Sequence, residues 1–141
     1  MKVVRMNKDI PLPAYETPGS AGMDLRAAIP ALLAPGARTV VPTGLKMAIP
    51  PGFVGLVCGR SGLAAKYGVV TIPSPGVIDS DYRGDARITM LNLGQQLHEI
   101  DVGDRIAQLL IVPVTQIEWE EVEALDETER GEGGFGSTGS S

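Results

Sequence analysis

Turn-forming residues punctuate this chain so often that no long helix fits between them. Pro35-Gly36, Pro42-Thr43-Gly44, Pro50-Pro51-Gly52, Ser74-Pro75-Gly76 and Asn92-Leu93-Gly94 each offer a turn, through proline's fixed φ or glycine's permissive one. Between them lie short β-rich runs at 23–28, 39–41, 45–49, 53–58, 69–72, 87–93 and 105–114. The 18 Gly and 11 Pro, with almost no Ala, Leu, Glu and Lys at helical spacing, complete an all-β pattern. Short strands at this spacing predict a jelly roll or distorted β-barrel. A chain of 141 residues has room for one core and little for a second.

Two segments depart from the pattern. Gly62-Leu63-Ala64-Ala65-Lys66-Tyr67-Gly68 carries helix formers between glycines, and Ser61 stands where an N-cap is expected, so one or two helical turns are predicted there. After Val122 the chain turns acidic and then Gly- and Ser-rich, with too few apolar groups to pack. The expected organisation is a core over 1–122 and a flexible C-terminal arm over 123–141. Met47 and Trp119 are expected to pack, and His98, the single histidine, to be a solvated loop residue.

The net charge of −5 has the wrong sign for holding a nucleic-acid polymer by phosphate neutralisation. A small anion is not excluded, because a few converging arginines and backbone amides suffice. Cys58 is the only cysteine, which rules out an intramolecular disulfide and a cysteine-based zinc site and predicts a buried, inert thiol. Met1-Lys2-Val3-Val4-Arg5 is followed by Asn7, Lys8 and Asp9 rather than an apolar run. No signal peptide or membrane span is read, and a cytoplasmic location is expected.

Five segments carry chemistry-bearing residues. In Gly76-Val77-Ile78-Asp79-Ser80-Asp81-Tyr82-Arg83-Gly84 two carboxylates, a phenol and a guanidinium crowd one turn. This is either a solvated acidic turn or a hairpin that presents backbone groups to a ligand, with Asp79 as a base for water. A calcium loop fails, because Met90 occupies the place of the bidentate Glu. Gly59-Arg60-Ser61-Gly62 is either an ordinary capped helix start or a phosphate cradle of amides, hydroxyl and guanidinium. The tail is either a linker or an arm in which Phe135 stacks on a planar ring while Arg130, Ser137 and Thr138 reach phosphates. Ala21-Gly22-Met23-Asp24-Leu25 and Gly103-Asp104-Arg105-Ile106-Ala107-Gln108, each taken alone, read as plain strands.

Taken in chain order, the five segments resemble the five motifs of the homotrimeric dUTP pyrophosphatase (dUTPase) family, over residues 21–139. The resemblance implies a jelly-roll subunit in a threefold trimer with active sites shared between chains, dUTP as substrate and Mg²⁺ as cofactor. It implies hydrolysis to dUMP and pyrophosphate, which limits uracil incorporation into DNA and supplies dUMP for dTMP synthesis. Asp79 would activate the attacking water, and Gly76, Val77 and Ile78 would read uracil through their main chain, leaving no room for a 5-methyl group. Tyr82 would lie under the deoxyribose. Arg60, Ser61, Gly62 and Gln108 would surround the phosphates and the water, with Arg60 and Gln108 counted with Asp79 in the catalytic set. Asp24 would hold the metal's water shell. Phe135 would stack on uracil, and Arg130, Gly136, Ser137 and Thr138 would close over the γ-phosphate.

Two positions depart from the family pattern: Gly59 stands where proline is usual, and Pro73 where many members carry an asparagine that bonds the base. Two competing readings remain. A dCTP deaminase on a similar fold would need a glutamate base, and none lies between Arg60 and Tyr82. A non-catalytic nucleotide-binding module would not need both Asp79 and the arm.

Overall fold

The computed structural model describes residues 1–134. Ten strands and one helix follow in chain order: β1 Lys2–Arg5, β2 Met23–Arg26, β3 Ala31–Leu33, β4 Arg38–Ala48, β5 Phe53–Cys58, α1 Ser61–Tyr67, β6 Val69–Thr71, β7 Gly76–Ile78, β8 Asp85–Asn92, β9 His98–Ile100 and β10 Arg105–Pro113. They form two four-stranded sheets, ordered β1-β4-β8-β6 and β2-β10-β5-β7, and a small β3-β9 pair. Every pairing is antiparallel. The predicted all-β jelly roll is what forms.

The core draws apolar side chains from both large sheets. On β8 strict alternation sends Ala86, Ile88 and Met90 inward, where they meet Val41 and Met47 of β4, Leu25 of β2 and Leu109 of β10 in one cluster. Pro42-Thr43-Gly44 does not end a strand as its composition suggested. It is a bulge inside β4, where pairing with β8 jumps from Pro42↔Arg87 to Lys46↔Asp85. Gly44 supplies φ +69 for the kink, and the buried Thr43 hydroxyl donates to the Ala86 carbonyl at 2.7 Å.

The short helix forms where expected, with a different cap. Arg60, not Ser61, is the N-cap residue and makes no side-chain cap bond; Ser61 is the first helical residue. Gly68 ends the helix at φ +68, its amide shared between the Ala64 and Leu63 carbonyls. The body's last backbone tie is Val114 N–H to the Gly52 carbonyl at 2.9 Å. Beyond it the described residues lie open, and Trp119, expected to pack, is 92% exposed in the single chain. His98 is on β9 rather than in a loop, half-buried and tilted against Tyr67 with ring centroids 4.9 Å apart. Met47 is buried as expected.

Asn92 closes one end of the sandwich. Fully buried, it donates to the carbonyls of Leu33 and Gln96 and accepts from the Gly94 amide, each at 2.8 Å. Asn92→Ala strands these buried partners and is expected to lower stability by about 3 kcal/mol. Denaturant unfolding measures this, and a loss below about 0.5 kcal/mol, as for an ordinary surface change, would contradict it.

Candidate functional site

β7 is an edge strand, hydrogen-bonded only to β5 through Gly55↔Ile78, Leu56↔Val77 and Val57↔Gly76. Its other edge leaves main-chain groups free for a flat partner with its own donors and acceptors. The chain then turns through residues 79–84 into β8. Tyr82 N–H donates to the Asp79 carbonyl at 3.2 Å, and the Arg83 guanidinium folds back onto the carbonyls of Ser80 and Tyr82 at 2.7 and 2.8 Å. The Tyr82 hydroxyl donates to the Asp85 carbonyl at 3.1 Å, which lays the ring across Gly84. A Cβ on Gly84 would overlap that ring, so any larger residue there would push the Tyr82 ring aside. The result is a pocket of about 280 Å³ walled by Gly76, Val77, Ile78, Asp79 and Tyr82 on one side and by Thr71 and Pro73 on another. Asp85 Oδ1 and Thr71 Oγ1, both from residues of this wall, are buried without a protein partner.

A second group of residues gathers on the β2-β10-β5 surface. Gln108 pairs with Asp24 of β2 on one side and Cys58 of β5 on the other, so the three form a cross-strand row. Next to this row β10 is irregular. Ala107 faces Leu25, but Arg105 faces Arg26, which leaves Ile106 as an extra residue. Ile106 and Ala107 are both buried, where strict alternation would turn one outward. The bulge therefore puts Arg105 on the same face as Gln108 and Asp24; an unbroken strand would aim it at the core.

Asp24 is 9% exposed, and both its oxygens are engaged. Arg60 Nε lies 3.2 Å from Oδ1 and Arg105 Nη1 lies 3.3 Å from Oδ2. Arg60 Nη1 also donates to the Arg105 carbonyl at 3.1 Å. Two guanidiniums around one carboxylate leave one positive charge over, and both stay in touch with solvent, Arg60 at 25% and Arg105 at 45% exposure. Such a cluster attracts anions. Past Arg60, Ser61 and Gly62 open the helix, where amides have no intrahelical partner. A hollow of about 460 Å³ adjoins them, lined by Cys58, Gly59, Arg60, Ser61, Thr71 and Ser74 among others. Cys58 is thus half-buried beside a hollow rather than sealed in the core.

Of the residues singled out from sequence, the structure gathers Asp79, Tyr82 and Gly76 to Ile78 at one place, and Asp24, Arg60 and Gln108 at another. Among the described residues no hydrogen bond or ion pair joins the two groups, and none of Asp24, Arg60 and Gln108 lines the Asp79 pocket. Arg130 only folds onto the Gly133 carbonyl at 2.8 Å. Phe135, Gly136, Ser137 and Thr138 lie outside the described residues. Arg105 was missed, although a trace was there: two adjacent apolar residues between polar ones, as a bulge produces. Among the described residues no group of three or more His, Cys, Asp or Glu forms a metal cage. The donor set would fit Mg²⁺ only as an ion carried by a polyphosphate, for whose water shell Asp24 would have lone pairs that the arginines leave free.

Comparison with known proteins places this geometry. The dUTPase family model matches residues 8–139. The deoxyuridine 5'-triphosphate nucleotidohydrolase of Maricaulis maris is 54% identical over 132 residues, covering 91% of this chain and 87% of that protein. The dUTPase of Staphylococcus bacteriophage 80alpha with dUPNHPP superposes with a TM-score of 0.91 at 30% identity, covering 99% of this chain and 98% of that one. A mutant dUTPase from phage phi11 of S. aureus, described as coordinating a structural Mg(II) ion, gives a TM-score of 0.81 at 27% identity, covering 87% and 96%. The chain belongs to the dUTPase family.

Proposed function

We propose that this nucleotidohydrolase converts dUTP to dUMP and pyrophosphate. The observation that carries the reading is the joint placement of Asp79 and Tyr82 in one pocket beside the free edge of β7. That edge offers uracil main-chain donors and acceptors, and in the proposed fit the base lies against it closely enough to exclude a 5-methyl group. Tyr82 supports the deoxyribose face where a 2′-hydroxyl would clash. Pro73, with neither an amide side chain nor a backbone N–H, leaves base recognition to its neighbours on that edge.

In the proposed reaction Asp79 orients a water and accepts its proton as the oxygen attacks the α-phosphorus in line; the bond to the bridging oxygen breaks and pyrophosphate departs. Arg60, Ser61, Gly62 and Gln108 hold the phosphates and the water, with their donors fixed before charge develops. Mg²⁺ bound to the triphosphate supplies charge neutralisation on the leaving phosphates. Because no hydrogen bond or ion pair among the described residues joins the Asp79 pocket to the Asp24 surface, we place a complete site between subunits of a homotrimer. The open apolar residues Ile117, Trp119 and Leu125, all past the body's last backbone tie at Val114, support a C-terminal segment that lies on a neighbour and leads into the arm. A core over 1–122 with an arm over 123–141 fits this assembly, with Phe135, Gly136, Ser137, Thr138 and Arg130 closing on the bound nucleotide. We assign the reaction to the cytoplasm, and no described helix is long and apolar enough to cross a membrane.

Pyrophosphate release from dUTP, dTTP, UTP and dCTP in parallel tests the reading. Release from dUTP alone is expected, and Asp79→Asn should lower kcat by about 10²–10⁴-fold, the range for loss of a general base. Equal release from dTTP, or an unaffected Asp79→Asn enzyme, would overturn it; ammonia from dCTP would favour the deaminase reading. A chain ending before Arg130 should keep its fold and assembly and lose most turnover. Full activity of that truncation would remove the arm from the mechanism.

A further inference from the structure

We propose that Arg105 is a positioning residue for the phosphate end of the site, acting through Asp24 and Arg60; the inference rests on the dUTP reading above. Arg60 follows β5 on a long, flexible side chain, and two of its five N–H groups are already fixed. Nε points to Asp24 Oδ1 at 3.2 Å and Nη1 to the Arg105 carbonyl at 3.1 Å. The outer N–H groups of the fork stay available to a ligand. Arg105 completes the lock from the other side, with Nη1 at 3.3 Å from Asp24 Oδ2.

Charge makes the same point. Asp24 and Arg60 alone would sum to zero, and a neutral pair has little pull on a polyphosphate. Arg105 restores one net positive charge and keeps the carboxylate from drawing Arg60 inward. The backbone entering the bulge is itself tied down, because Arg26 Nη1 donates to the Gly103 carbonyl at 2.8 Å, two residues before Arg105. The bulge at Ile106 is the device that delivers Arg105 to this face.

A double-mutant cycle on the full chain tests this, with turnover of dUTP and calorimetric binding of inorganic tripolyphosphate measured on each variant. Arg105→Ala is expected to lower kcat by about tenfold to a hundredfold, with a smaller change in KM, because a misplaced guanidinium is felt most at the transition state. Made on an Arg60→Ala background, it should cost less than about twofold, since its route runs through Arg60. Arg105→Lys, which keeps the charge and a donor for Asp24, should recover part of the loss. A full-size effect of Arg105→Ala in the absence of Arg60, or unchanged turnover with Arg60 intact, would overturn the inference. If Arg105→Ala fails to fold, Arg105→Gln replaces it in the same cycle under the same criteria. A wild type that releases no pyrophosphate from dUTP would sink the dUTP reading alone; Arg105 would then be judged by whether its removal weakens tripolyphosphate binding in the same Arg60-dependent way.

Discussion

One extra residue in β10 serves the core and the site together. The bulge at Ile106 lets two consecutive apolar side chains, Ile106 and Ala107, enter the sandwich, and so turns Arg105 and Gln108 together toward Asp24. Removing the irregularity would expose an apolar side chain or bury an arginine, and either is costly. The buried carboxylate of Asp24 holds the surface above it in order. A carboxylate at 9% exposure requires counter-charges, and the two arginines that satisfy it are thereby oriented toward the same space.

The division of the site follows from sheet topology. A planar base is best read by main chain that has no strand beside it, and β7, at the edge of its sheet, provides that. A polyphosphate needs converging cations and amides, and the middle of the same sheet, where Asp24 of β2 and Gln108 of β10 meet Arg60 and Arg105, provides cations beside the first amides of α1. Asp79 belongs to the first region and Arg60 to the second. In the proposed reading a triphosphate spans both regions with one of them supplied by a neighbour, which would account for a shared site in an assembly of identical chains.

Much of this was legible in the sequence, and the parts that were not have physical causes. The turn within 76–84 was readable because carboxylates, a phenol, a guanidinium and glycines crowd it, whereas the packing of Tyr82 across Gly84 left no sign in the sequence. Pro42-Thr43-Gly44 was misread as a turn, since a bulge and a turn draw on the same residues; only the partner strand, which supplies the Ala86 carbonyl, decides between them. β1, β3, β7 and β9 were not among the runs read as strands, because three or four residues on partly exposed pairs leave hardly any alternation to detect. Ser61 was named as the cap by residue preference, whereas the backbone turns one residue earlier, where the Arg60 side chain is already committed to Asp24. Trp119 was expected to pack because large aromatics are usually buried, a rule that fails for a segment lying past the body's last backbone tie at Val114. Arg105 was passed over because strand alternation, taken literally, points it away from Gln108.

Subunit mixing tests the composite site most directly. Asp79→Asn and Arg60→Ala chains, each with only residual turnover as pure protein, would be unfolded together and refolded as a mixture, and dUTP turnover measured. If each site takes Asp79 from one chain and Arg60 from another, random assortment restores both to about a quarter of the sites, and turnover returns to that share of wild type. A mixture as inactive as its components would show that both groups act within one chain, and the shared site would be wrong.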